Sequence, residues 1–318
     1  MNRVDEFNPS LIRGLWALTL RELKKWLKDP VMLVMFVLQP LIWMGLLGKS
    51  MNIQGLFLSS NLSNVSIPSI QIPGSLINPP VNGVISIPGT LISKQLQKMF
   101  SEIGLNIMQN TFGVADYFSY MAVGMVSMIV TTTTMFSGMS IVWDRRLGFL
   151  SKVISTPVSR AAIIFAKILN ATFRAMFQST VILALAYILG LKVSSTFTLL
   201  NIIGVYAAIF LLSVGLSSIF LAFSIRSTRM ERPMQFVGLI TMPLMFASNI
   251  FFPISLMPGW MQTIARINPL TYLTDAIRQL TILQLDSSAL IMDFAYLSIF
   301  ATILAVIGIV LSWKYLTK

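Results

Sequence analysis

Side chains that support catalysis are scarce in this chain of 318 residues. It contains no histidine and no cysteine, which removes imidazole bases, thiol nucleophiles, disulfides and the common ligands of zinc and copper. The 11 acidic residues do not cluster inside the apolar segments, where a membrane enzyme would need them. We therefore expect no catalytic residue, no metal site and no cofactor in this chain.

Methionines recur at helical spacing in one apolar segment, as Met121, Met125, Met128 and Met135, and Thr132 completes the spacing. Thioether sulfur binds copper(I), but a copper site without cysteine or histidine would be poor. Packing between helices is the favoured interpretation of this stripe. The alternative is that these five residues face a transport pathway and adapt to apolar cargo.

The composition places these residues in a membrane protein. Hydrophobic residues make up 55% of the chain and charged residues 11%, whereas a soluble domain carries about a quarter charged residues. The surplus apolar surface must face lipid. We predict an all-α polytopic membrane protein with one membrane domain covering residues 1–318.

Six stretches have the roughly 20 mostly apolar residues that a helix needs to cross a bilayer. They run from Val31 to Gly48, Tyr117 to Trp143, Ile163 to Leu191, Val193 to Ile225, Pro233 to Leu256 and Phe294 to Trp313. If the N-terminus is cytoplasmic, 17 of the 23 basic residues fall on the cytoplasmic side. The net charge of +12 thus reflects topology rather than nucleic-acid binding. We expect a multi-pass protein of the plasma membrane with both termini in the cytoplasm.

Two segments flank the first predicted span. Residues 1–30 read as an amphipathic interfacial helix with a basic face, which either anchors the chain on anionic lipid or also contacts a cytoplasmic partner. Residues 52–116 form a predicted extracellular insert, rich in proline at first and able to form an amphipathic helix from Leu91 to about Gln109. Asn61 and Asn64 begin two glycosylation sequons within this insert.

The cytoplasmic loop of residues 144–160 combines basic residues with Leu147, Leu150, Val153 and Ile154 at helical spacing. A solvated loop seldom needs four apolar residues on one face. We therefore favour a short helix that docks a partner over an ordinary positive-inside loop.

Between the fifth and sixth spans, three prolines and Gly259 interrupt a mostly apolar stretch. Broken backbone at membrane depth must be buried in protein or line a wet cavity. A re-entrant hairpin of short helices fits this pattern, although an ordinary outer loop fits the composition equally well. Asp275 and Arg278 are spaced for a helical ion pair in its second half.

Together these segments resemble the permease subunits of type 2 ABC exporters, most closely the daunorubicin-resistance-type branch. The resemblance covers nearly the whole chain outside the insert. It is carried by the basic N-terminal helix and by the stretches Ser140 to Gly148, Ser155 to Arg160, Phe251-Phe252-Pro253, Pro258-Gly259-Trp260 and Asn268-Pro269-Leu270.

The resemblance implies that two permeases, identical or different, form the pathway and that two cytoplasmic ATPase subunits supply ATP and magnesium. Residues 144–160 would be the coupling helix seated in an ATPase cleft, and the N-terminal helix would brace it. The implied contacts are polar for Asp144, Arg145, Arg146 and Lys152, and apolar for Leu147, Phe149 and Leu150.

The implied function is export of a hydrophobic or amphipathic molecule, such as a drug, a lipid or a lipid-linked glycan. A secondary transporter or another polytopic protein is the alternative. It should show ionisable residues deep in several spans and internal inverted repeats, and the sequence shows neither pattern.

Overall fold

The computed structural model of the chain describes residues 11–50, 68–73, 84–156 and 158–316. Helices dominate these ranges. They are α1 (Leu11–Leu27), α2 (Pro30–Trp43), α3 (Gly89–Phe112), α4 (Tyr117–Ser137), α5 (Met139–Arg146), α6 (Phe149–Ile154), α7 (Arg160–Ile188), α8 (Leu199–Ser224), α9 (Glu231–Phe246), α10 (Gly259–Ile267), α11 (Pro269–Thr281) and α12 (Ser287–Leu316). A π-helical turn, Met44–Lys49, extends α2, and Ile254–Leu256 is a 3₁₀ turn.

Five helical segments within the described ranges are long and apolar enough to cross a membrane, which confirms the all-α polytopic class. They are Pro30–Lys49, part of Gly89–Arg146, Arg160–Ile188, Leu199–Ser224 and Ser287–Leu316. The remaining predicted span, Pro233 to Leu256, is shorter than expected. Its helix α9 has 16 residues, or about 24 Å, against a hydrocarbon core of about 30 Å.

Aspartates start two of the spanning helices. The Asp29 carboxylate accepts the Met32 N–H at 3.0 Å, and Pro30 follows at the first helical position of α2. The Asp116 carboxylate likewise accepts the Ser119 N–H at 2.8 Å at the start of α4. These caps satisfy amide groups that a helix leaves unpaired at its N-terminus.

Helix α4 forms the centre of the fold. In its spanning segment 78% of the apolar window is buried, against 17% for the segments of α2 and α12. Its threonines satisfy their hydroxyls: Thr131 donates to the Ser127 carbonyl and Thr134 to the Val130 carbonyl, each at 2.7 Å, and Thr133 donates to the Gln178 side chain on α7. The helix α4 can therefore be buried without orphaned hydroxyls, while α2 and α12 keep apolar faces for lipid.

Small residues bring α8 and α12 close together. A Cβ added to Gly308 would lie 2.4 Å from the Ser218 backbone, and one added to Gly215 would lie 3.0 Å from the Ala301 Cα. Contacts between small residues of this kind are the usual basis of helix association in membranes.

The described part of the insert contains two short strands and one long helix. Strands β1 (Ile70–Pro73) and β2 (Val84–Ile87) pair antiparallel, with Ile70 opposite Ile87. The helix expected from Leu91 to about Gln109 is present as α3. Asn61 and Asn64 lie outside the described residues.

Two short helices, α10 and α11, occupy the place of the predicted hairpin. Asn268 joins them: its amide donates to the carbonyls of Leu244 at 2.6 Å and Ala247 at 2.7 Å, and its side-chain oxygen accepts the Leu270 N–H at 3.0 Å. One side chain thus ties the hairpin to the end of α9.

The expected ion pair of Asp275 with Arg278 is replaced by other contacts. Arg278 is 1% exposed and donates to the carbonyls of Tyr120 at 3.2 Å and Ile250 at 3.1 Å. Asp275 accepts a hydrogen bond from the Asn249 amide instead. The guanidinium thus binds one carbonyl in the first turns of α4 and one in the irregular segment that follows α9.

Candidate coupling site

The predicted cytoplasmic segment folds as two short helices, α5 and α6, joined by a tight turn. The N–H of Gly148 donates to the Arg145 carbonyl at 3.0 Å, and Gly148 has a φ of 69°, a left-handed conformation that favours glycine. The turn gives residues 144–156 two unlike faces, one packed on the transmembrane helices and one exposed. Pro157 lies outside the described residues.

Asp144 lies on the packed face, which corrects its expected role as a partner contact. It is 2% exposed and forms an ion pair with Lys167 of α7. Lys167 also lies 3.1 Å from the Glu22 carboxylate of α1, and Arg21 lies 2.7 Å from Glu22 and 3.9 Å from Asp144. Two acids and two bases thus form an ion-pair cluster that joins α1, α5 and α7, and the Arg174 guanidinium lies within electrostatic reach of Glu22.

Arg145 also points into the chain rather than outward. Its guanidinium donates to the Ser227 carbonyl at 3.2 Å and to the Ile225 carbonyl, just beyond the C-terminus of α8. It also lies 5.2 Å from the centre of the Tyr315 ring on α12. A cation suits this position because the last carbonyls of a helix are unpaired and carry partial negative charge.

Phe149 and Leu150 do not form an exposed apolar plug. The Arg21 guanidinium covers the Phe149 ring at 3.4 Å, and Leu150 is only 6% exposed. Leu150 belongs to a buried cluster with Ile141, Val153 and residues of α7 and α8. Both side chains therefore hold α6 against the membrane helices; Leu150 is closed to a partner in this arrangement, whereas Phe149 stays partly exposed.

The outward face of the segment presents three of the predicted contacts. Leu147 is 68% exposed, and Arg146 and Lys152 are exposed beside it. Ile154, at 40% exposed, extends the apolar part of this surface. We call Arg146, Leu147, Lys152 and Ile154 the outer face of the coupling segment.

Helix α1 packs along α7 and braces this segment. At Gly14 the two chain segments lie close together: a Cβ added there would lie 3.1 Å from the Val158 side chain. At the other end, Trp26 is 5% exposed and stacks edge-on against Phe177 of α7 with ring centres 5.6 Å apart. The predicted amphipathic helix is present, and its buried face is used on the chain itself.

The five pathway candidates lie in the core of α4. Met121, Met125 and Met135 are fully buried, and Met128 is 7% exposed. Thr132 is half-buried and donates to the Met128 carbonyl at 3.0 Å. This burial fits the packing interpretation of the stripe, although Met135 also borders a cleft between α4, α8, α9 and α12.

Sequence reasoning missed the partners of Asp144 and Arg145. Lys167, a cation in the early turns of an apolar span, was the available signal for an internal acid partner. Glu22, on the buried side of α1 among basic residues, was the matching signal. The Ile225 and Ser227 carbonyls leave no sequence signal at all.

Comparison with known proteins agrees with this architecture. Residues 13–282 match the family described as ABC-2 type transporter. A putative transport permease of Porphyra purpurea is 28% identical over 200 residues, which cover 60% of this chain and 67% of that protein.

Two further relatives carry names from drug resistance. The daunorubicin resistance ABC transporter permease protein DrrB1 of Streptomyces coeruleorubidus is 26% identical over 52% of this chain and 58% of its own length. The probable multidrug ABC transporter permease YbhR of Escherichia coli K12 is 27% identical over 52% of this chain and 44% of its own length. The resemblance drawn from the sequence motifs is confirmed, and the chain belongs to the ABC-2 type transporter family as a multi-pass membrane permease.

Proposed function

We propose that this permease exports a hydrophobic or amphipathic molecule, such as a drug, a lipid or a lipid-linked glycan, out of the cytoplasm through the plasma membrane. Two permease chains, identical or different, would form the pathway, and two cytoplasmic ATPase subunits would bind ATP and magnesium. Both termini would be cytoplasmic, as the distribution of basic residues favours. The names of the two drug-resistance relatives support the substrate class.

The observation that carries the proposal is an exposed apolar side chain on a firmly held element. Leu147 projects from a turn that buried charges attach to the transmembrane helices. An exposed leucine between the exposed cations Arg146 and Lys152 suits insertion into an acidic-rimmed cleft of an ATPase.

The contacts of Asp144 and Arg145 with the membrane helices would transmit movement of the coupling segment to α7 and α8. When ATP binding closes the ATPase pair, the outer face of the coupling segment would be displaced with it. The Asp144–Lys167 ion pair would carry this displacement to α7, and Arg145 would carry it to the end of α8. The permeases would then change from inward to outward access, which is a rigid-body transition of packed elements.

Replacing Leu147 with aspartate tests this function. Leu147→Asp should weaken binding to the partner ATPase subunit at least about tenfold, because the change places an unpaired charge in an apolar contact. Thermal unfolding of the purified variant should stay unchanged, since the side chain is 68% exposed. Leu147→Met, which keeps the apolar contact, is the matched control and should bind normally.

Normal ATPase binding and normal export by Leu147→Asp would refute the assignment of this surface. Leu150→Asp is unsuitable as a test because its side chain is 6% exposed and the change would disturb folding. Export itself is measured with the complex in vesicles and a fluorescent apolar drug. Transport that follows an ion gradient and ignores ATP would instead support a secondary transporter.

A further inference from the structure

A cleft opens between α4, α8, α9 and α12, and the proposed coupling role does not use it. Its volume is about 350 Å³. Aliphatic and aromatic side chains line it, and Arg226 is the one charged residue among them. The lining comprises Met135, Leu216, Ile219, Phe220, Ala222, Phe223, Arg226, Phe236, Ile240, Leu244, Phe300, Leu304 and Leu311.

The depth of the cleft matches one leaflet of a bilayer. From Leu216 on α8 to Arg226, two residues beyond the end of that helix, the lining covers ten residues, or about 15 Å at 1.5 Å per residue. Half of a hydrocarbon core about 30 Å thick is also about 15 Å. On α12 it extends over a similar distance, from Phe300 to Leu311. An acyl chain lying along the cleft would thus keep its headgroup at the mouth.

The mouth of the cleft is basic. Arg226, Arg229 and Arg232 are exposed in the connection from α8 into α9, where Glu231 is the acidic residue. No ion pair found among the described residues involves Arg226. A guanidinium beside an apolar cleft complements a phosphate attached to an acyl chain.

Arg145 holds the backbone on both sides of Arg226. Its guanidinium binds the carbonyls of Ile225 and Ser227, the two immediate neighbours. The Ser227 hydroxyl also donates to the Arg229 carbonyl at 2.7 Å, which closes the turn. The backbone that carries the Arg226 side chain is therefore held in place by other residues of this chain. The hydrogen bonds of Arg145 also connect the mouth of the cleft to the coupling segment.

We propose that the cleft is a binding site for an anionic phospholipid of the cytoplasmic leaflet. One acyl chain lies against Leu216, Phe220 and Leu304, and the phosphate binds Arg226. Phe223 and Phe236, stacked with ring centres 3.9 Å apart, pack between α8 and α9 beside the glycerol region. One ligand would thus occupy the apolar interior of the cleft with its acyl chain and bind the cation at the mouth with its phosphate.

Native mass spectrometry of the full-length protein in detergent tests the site, with dioleoyl phosphatidylglycerol and dioleoyl phosphatidylcholine as probes. Wild-type protein should retain phosphatidylglycerol preferentially. Arg226→Gln should weaken this retention about tenfold, the factor that corresponds to 1.4 kcal/mol. Arg229→Gln removes the same charge three residues away, outside the cleft, and is the matched control that should retain the lipid.

Three results would overturn the proposal. The first is equal retention of the two lipids by wild-type protein, which means a neutral occupant or general adsorption. The second is equal loss in Arg226→Gln and Arg229→Gln, which means a diffuse surface charge effect. The third is equal retention of dihexanoyl and dioleoyl phosphatidylglycerol, or displacement by inorganic phosphate, which means that the acyl chain contributes nothing.

A second measurement rests on the proposed function. If the coupling assignment holds, phosphatidylglycerol should raise the ATPase rate of the reconstituted complex with wild-type permease more than with Arg226→Gln. Lipid retention by the isolated permease does not depend on an ATPase, so the failure of either proposal can be told from the failure of the other. A wild-type complex that binds the lipid without any change in ATPase rate would limit the site to a structural role and refute its link to the coupling segment.

Discussion

Lys167→Met is the sharpest test of how the coupling segment is held. Lys167 is 8% exposed and contacts two carboxylates, that of Asp144, whose side chain is 3% exposed, and that of Glu22, whose side chain is 8% exposed. The substitution keeps the length and apolar stem of the side chain and removes its charge. The two buried carboxylates then keep only the partly exposed Arg21 as an ion-pair partner.

The expected cost follows from this burial. Breaking a buried ion pair by removing one partner costs about 3–5 kcal/mol, because the remaining charge is left without compensation. Arg21→Gln is the comparison: Arg21 is 37% exposed, and its ion pairs are worth about 1 kcal/mol at most. Its stacking on Phe149 adds about 0.5–1 kcal/mol. Lys167→Met should therefore lower the free energy of unfolding by at least about 1 kcal/mol more than Arg21→Gln.

Equilibrium unfolding of the purified permeases in mixed micelles measures these differences. Adding Asp144→Asn to Lys167→Met removes one of the orphaned charges and should recover part of the loss. The coupling energy of this double-mutant cycle should be about 1 kcal/mol or more. Stability of Lys167→Met equal to that of wild type, or a larger loss in Arg21→Gln, would refute the view that buried charge pairing holds α1, α5 and α7 together.

Two further predictions concern α4 and the start of α12. Gly124→Ala should destabilise by about 2 kcal/mol or more in the same unfolding assay, because its Cβ would lie 2.3 Å from the Ile250 carbonyl oxygen, whereas Gly238→Ala, which meets open space, should be neutral. Hydrogen bonds from the Ser288 hydroxyl and from backbone amides of the first turn lower the pKa of Asp286. The ionised Asp286 carboxylate therefore stabilises the first turn of α12 above its ordinary pKa, and this stability is lost as the pH falls through the lowered pKa of the folded state. Amide exchange at this turn should accelerate below about pH 4 in wild type but not in Asp286→Asn.

The spans and helical segments were predictable because they depend on local patterns. Long apolar runs, aspartates at helix starts and prolines at breaks determine the elements without knowledge of their neighbours. Helix α9 is the exception: composition continues to be apolar beyond Phe246, but Pro243 and the Asn268 contacts end the helix. That ending depends on a side chain 22 residues further along the chain, which no local pattern reveals.

The site was predictable as a segment but not residue by residue. Helical spacing indicated a packed face in residues 144–160, yet it could not say which side of the turn faces the membrane helices. The sign of a charge says equally little, since Asp144 and Arg145 are charged and turned inward while Arg146 is charged and exposed. Only the positions of Lys167 and of the carbonyls beyond α8 decide between these orientations.

The close approach of α8 to α12 has a mechanical consequence. The backbones of α8 and α12 nearly touch at Gly215 and Gly308. No side chain lies between them at these points, so a change of rotamer cannot make room for one helix to slide along the other. We expect α8 and α12 to move together as one rigid unit. Arg145 donates to a carbonyl just beyond the end of α8 and lies against the Tyr315 ring of α12. A displacement of the coupling segment would therefore act on both helices at the same end. We then expect any bending to occur at α9, which ends at Phe246 and is tied to the hairpin by Asn268.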